Sequence, residues 1–118
     1  MHLKTACRVL LGVFFIAAGA NHFRQPAFYA SIVPPFFPSA GLLVVLSGLA
    51  EIALGAAVLV PSSRVWAAWG LIALLVAVFP ANLYMAWHPE RFPAIAPALL
   101  WLRLPLQGVF IAWAYWFT

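Results

Sequence analysis

Along the chain, four long apolar runs alternate with short polar or proline-rich stretches. A helix needs about 20 mostly apolar residues to cross the hydrocarbon core of a bilayer. Four segments meet that requirement: Leu3 to Ala20, Gly41 to Val60, Arg64 to Trp87, and Pro97 to Phe117. None alternates in the strand period, and backbone in lipid must satisfy its own hydrogen bonds, so helices are expected and not a barrel. The predicted fold is all-α, a single integral-membrane bundle of four transmembrane helices over residues 1–118. The first run also has the layout of a secretory leader, with Lys4 and Arg8 ahead of Val9–Ala20 and an Ala18-Gly19-Ala20 triplet at its end. It is read here as a helix of the mature protein.

Four spans put both termini on one side of the membrane, together with the Pro61–Ser63 turn; this is termed the terminal side. The opposite, loop side carries the two longer connections, Phe23–Ala40 and His88–Ala96. Both are proline-rich, with Pro26, Pro34, Pro35 and Pro38 in one and Pro89 and Pro93 in the other. Because proline fixes φ and stops helices, both loops are expected to be stiff caps on the bundle. The first, with Phe28, Tyr29, Phe36 and Phe37, is expected to dip into the interface. Lys4, Arg8 and Arg64 on the terminal side outnumber Arg24 and Arg91 on the other, which favours cytoplasmic termini. Aromatic belts are expected from Trp66 and Trp69, from Tyr84 and Trp87, and from Trp113, Tyr115 and Trp116. Gly12 and Gly19, like Gly48 and Gly55, recur at seven-residue spacing and predict close helix packing.

Composition narrows the class further. The 118 residues are 67% hydrophobic and only 7% charged, too few polar groups to cover a soluble domain. Six Trp, three Tyr and ten Phe exclude a disordered chain, and a single cysteine excludes a disulfide framework. The net charge of +4 comes from scattered basic residues that read as flank charges facing headgroups. No patch or motif points to nucleic acid.

The informative residues are the polar ones inside the spans. Glu51 sits at the middle of the second run and Arg103 inside the fourth, where each costs roughly 2.5–3.5 kcal/mol to insert. Ser47 lies one turn before Glu51, and Gln107 one turn after Arg103, so each pair shares a helix face. Asn21 and His22 end the first span, and Asn82 and Tyr84 lie near the end of the third. All eight fall in the loop-side half, which predicts a polar ligand pocket roofed by the proline-rich loops. Pro80 and Pro105 interrupt helical hydrogen bonds at the same depth and are expected to kink their helices.

Each of these residues also has a structural reading. Glu51 and Arg103 can neutralise one another as an ion pair, His22 can face headgroups, and Ser47 can bond its own backbone. Asn82 and Gln107 can join helices. His22 and His88, with Glu51 and Glu90, lack the spacing of a recognised metal site, and none is expected. Cys7 has no partner for thiol chemistry and lies away from the polar cluster.

The stretches Gly19-Ala20-Asn21-His22-Phe23, Pro26, Val33-Pro34-Pro35, Ser47-Gly48, Glu51, Gly55, Pro80-Ala81-Asn82-Leu83-Tyr84-Met85 and Leu102-Arg103-Leu104-Pro105-Leu106-Gln107 together resemble the DoxX-like family of small four-helix membrane proteins. That resemblance implies a bundle in the bacterial inner membrane and an association with membrane redox complexes. Because this chain has no cysteine pair and no cofactor motif, the role expected for it is that of an accessory subunit of a quinone-linked oxidoreductase, and no catalytic residue is assigned. A small lipophilic ligand, with a quinone headgroup as the model, is therefore expected in the pocket. Arg103, Asn82 and His22 would donate to its oxygens, and Glu51 would accept a proton or hold Arg103. Electrons would come from a redox partner or a bound cofactor. The alternatives are a structural or assembly subunit whose polar residues bind helices together, and a transporter or proton pathway acting as a homo-oligomer.

Overall fold

Prolines decide where the helices stop in the computed structural model, which describes residues 2–118. The residue before a proline is pushed out of the α region by its ring. Gln25, Val33, Val60, His88, Phe92 and Ala96 each precede a proline, and each has non-helical backbone at a helix boundary. Between these stops run α1 (Leu3–Arg24), α2 (Pro26–Ile32), α3 (Ala40–Leu59), α4 (Arg64–Trp87) and α5 (Pro97–Tyr115), with one 3₁₀ turn at Pro89–Arg91. The described residues form no strand.

Four of these helices, α1, α3, α4 and α5, are long and apolar enough to cross a membrane. At about 1.5 Å per residue, the 19 residues of α5 span roughly 29 Å and the 24 of α4 roughly 36 Å, which matches the hydrocarbon core. Leu10, Val13, Leu42, Leu49, Val76 and Val109 are exposed around the bundle, as lipid-facing side chains are. The protein is a multi-pass membrane bundle.

Two differences from expectation concern the first loop and its neighbours. The helix α1 runs on through Asn21 and His22 to Arg24, so these residues lie inside it and do not end it. The connection beyond it contains α2, started by Pro26 at its first position, where a missing N–H is harmless.

The helices α1 and α3 pack antiparallel along their glycines. A Cβ on Gly12 would lie 2.7 Å from the Gly55 carbonyl oxygen, and one on Gly55 would lie 2.8 Å from that of Gly12. Gly19 and Gly48 are paired in the same way one heptad further along. The bundle continues from α3 to α4 and from α4 to α5, while the backbones of α1 and α5 barely approach. Phenylalanines close that seam: Phe14 stacks on Phe110 at 5.0 Å, with Phe15 edge-on at 6.3 Å.

The terminal-side half is a solid apolar core of Leu11, Phe15, Val58, Ala67, Ala68, Leu71, Leu75, Ala114 and Phe117. Arg8, expected as a flank charge, instead caps α3. Its Nη1 donates to the carbonyls of Val58 at 2.9 Å and Leu59 at 2.7 Å, which have no helical partner of their own. Ser63 adds a hydrogen bond of 2.7 Å to the Ala57 carbonyl. On the loop side, Ile32, Tyr84, Met85, Phe92 and Leu100 form a second cluster that ties α2 and the second loop to α4 and α5.

Candidate functional site

Between the solid core and α2 the helices part around a cavity of about 720 Å³. Most of its wall is apolar, contributed by residues such as Phe15, Val44, Leu74, Val78, Leu106 and Phe110. Its roof comes from Tyr29, Ile32, Val33, Pro34 and Phe37 of the first connection. The second proline-rich loop does not line it, because Phe92 and Ile95 pack on Tyr84, Met85 and Leu100. Only one of the two loops expected as a roof therefore serves as one.

Six of the eight predicted residues line this cavity: His22, Ser47, Glu51, Asn82, Arg103 and Gln107. They come from all four long helices, as their common depth required. They divide into two groups by helix pair.

The first group belongs to α1 and α3. The carboxyl of Glu51 approaches the His22 ring, with Oε2 3.4 Å from Nδ1. That Nδ1 is 2.9 Å from the Ala18 carbonyl one turn back, an acceptor that places the ring proton there. Glu51 Oε2 is buried and takes no hydrogen bond among the described residues. The hydroxyl of Ser47 donates to its own backbone at the Val44 carbonyl, 3.2 Å away. His22 is also stacked on Tyr29, with ring centroids 4.0 Å apart and planes within 15°.

The second group joins α4 to α5 by a chain of amides. Arg103 Nε donates to Asn82 Oδ1 at 3.2 Å, and Asn82 Nδ2 donates to Gln107 Oε1 at 2.7 Å. Gln107, only 4% exposed, donates in turn to the Leu75 carbonyl. That carbonyl lies one residue before the Val76 carbonyl, whose helical partner is missing at Pro80. The chain thus pins the helix wall where the proline loosens it. Arg103 and Glu51 share the cavity but form no ion pair among the described residues, so direct neutralisation is not how either is held. The reason is helix order: α3 neighbours α1 and α4, and Arg103 on α5 finds Asn82 first.

Two predicted residues lie elsewhere. Tyr84 is 7% exposed and packs among Ile32, Met85, Phe92 and Leu100, with His88 tilted over its ring at 4.5 Å and Arg91 at 5.9 Å. It is a packing residue, and its burial also removes it from the expected aromatic belt. Asn21 faces a shallow outer cleft with Arg24 and touches the cavity only through Tyr29, donating to its hydroxyl at 2.7 Å. From the sequence Tyr29 reads only as an interface residue. Its signal was there in Pro26, which starts a helix that aims an aromatic back at α1.

Residues 11–118 match the profile of a family described as a domain of unknown function, DUF8561. No curated protein and no solved structure is significantly similar to the chain.

Proposed function

We propose a ligand-binding role on the premise that the chain belongs to the DUF8561 family, which its match over residues 11–118 establishes. In this reading the bundle receives a small lipophilic molecule in the loop-side cavity. Its apolar part contacts the phenylalanine and aliphatic wall, and its oxygen-bearing head lies among His22, Glu51, Asn82 and Arg103. The observation that carries it is the cavity itself: about 720 Å³ falls in the usual range for small-molecule sites. Mostly apolar walls with a few convergent polar groups are the usual make-up of such sites. Charged side chains inside a membrane are costly, and a ligand that pairs with them supplies a reason for their presence.

A quinone-like head fits this chemistry, and the link to membrane redox complexes follows the DoxX-like resemblance; both belong to the proposal. So do a bacterial inner-membrane location, cytoplasmic termini and assembly into a homo-oligomer or with a redox partner. The test is to extract the detergent-purified protein and identify co-purified lipophilic compounds by mass spectrometry. A bound compound that is lost from Arg103→Leu and Glu51→Gln proteins that still fold supports the reading. Wild-type protein that carries nothing and takes up neither an added alkyl quinone nor its quinol overturns it.

A second reading has its own support. The Asn82–Gln107–Leu75 chain joins α4 to α5 whether or not a ligand is present, as a purely structural or assembly subunit would require. Under it, the polar variants lose folding or complex formation and no separate binding phenotype exists.

A further inference from the structure

The two polar groups in the cavity differ in what they still offer. On the α1–α3 side the donors of His22 and Ser47 are already engaged within the protein. His22 Nδ1–H points to the Ala18 carbonyl and the Ser47 hydroxyl to that of Val44. With the ring neutral and the Glu51 carboxyl ionised, His22 presents only the Nε2 lone pair and Glu51 only oxygens, one of them buried without a donor among the described residues. Tyr29 adds a ring face here, and its hydroxyl accepts a hydrogen bond from Asn21, which does not line the cavity.

On the α4–α5 side the opposite holds. The amide oxygens of Asn82 and Gln107 each accept a hydrogen bond already. Among the described residues the guanidinium of Arg103 donates through Nε alone, so its two terminal amino groups remain as donors. A guanidinium has no acceptor at any pH of interest.

We infer that the cavity selects a ligand whose head carries a hydrogen-bond donor at one end and an acceptor at the other, such as a hydroxyaryl carbonyl compound. Its hydroxyl would face His22 and Glu51, and its carbonyl oxygen would face Arg103. A head with acceptors alone, a fully oxidised dione included, would satisfy Arg103 and leave the His22–Glu51 side unpaired. Buried polar groups without partners are costly, so a site of this kind rejects such a head. This rests on the ligand-binding reading and narrows it from lipophilic oxygen compounds to those with both functions.

The test uses a redox-inert pair of probes, a long-chain alkyl para-hydroxyphenyl ketone and its methyl ether, titrated against the protein in lipid nanodiscs. The hydroxy ketone is expected to bind at least about tenfold more tightly, the scale set by one unpaired buried group. In Glu51→Gln, whose side chain adds an N–H, the preference should narrow. Equal binding of both probes, with both lost in Arg103→Leu, overturns this inference and leaves the ligand-binding reading standing. Saturable binding of neither overturns both. If Glu51→Gln does not fold, the wild-type preference between the two probes decides alone.

Discussion

Gly19 and Gly48 meet so closely across the α1–α3 contact that a Cβ on Gly19 would sit 2.6 Å from the Gly48 carbonyl oxygen. The obstacle is backbone, which no rotamer change relieves. Gly19→Val and Gly48→Val are therefore expected to lower stability by about 3 kcal/mol or more, beyond ordinary core overpacking. Thermal unfolding in detergent followed by circular dichroism measures this. Gly108→Ala is the control: nothing lies within 4 Å of its added carbon, so it should be neutral or slightly stabilising.

Arg8 supplies a second stability test. Arg8→Met leaves the Val58 and Leu59 carbonyls without their donor at the end of α3, at an expected cost of about 1–3 kcal/mol. Arg8→Lys should recover part of the loss, since an ammonium offers a point charge in place of a planar donor set. An Arg8→Met protein as stable as wild type would show the cap to be dispensable.

The amide chain between α4 and α5 can be separated from ligand binding by a double-mutant cycle. Asn82→Leu, Gln107→Leu and the double variant should give a coupling energy of about 0.6 kcal/mol, and at most about 1.7, as for other hydrogen bonds between membrane helices. A coupling of zero would mean that the 2.7 Å contact between these side chains contributes nothing.

Tyr29 and Tyr84 should behave oppositely in a binding assay with the long-chain alkyl para-hydroxyphenyl ketone. Tyr29→Ala removes the ring stacked on His22 and should weaken binding several-fold. Tyr84→Phe should leave affinity unchanged, because that ring lies outside the cavity. A large loss in Tyr84→Phe would place the site somewhere else.

Depth was legible in the sequence, and direction was not. Counting residues from the span ends put His22, Glu51, Asn82 and Arg103 at one level, and all four line one cavity. The miss at Tyr84 is a matter of azimuth. Two residues along a helix turn it by about 200°, so Tyr84 points away from whatever Asn82 faces. The same reasoning separates Asn21 from His22, about 100° apart on α1. Helix order is also out of reach of the sequence, which leaves a Glu51–Arg103 pairing open, whereas the neighbour of Glu51 is His22. The continuation of α1 past its polar residues was hidden because Asn and His read as a stop, while the effective stop is Gln25 before Pro26.

The phenylalanine seam between α1 and α5 gives the molecule two unequal halves. One half, α1 with α3, is joined by backbone on backbone; the other, α4 with α5, by side-chain amides. The stretch of seam beside the cavity is closed by ring contacts that can part without breaking a hydrogen bond. A molecule held by Arg103 on one half and Glu51 on the other would act as a cross-brace between halves that meet at this seam through ring contacts alone.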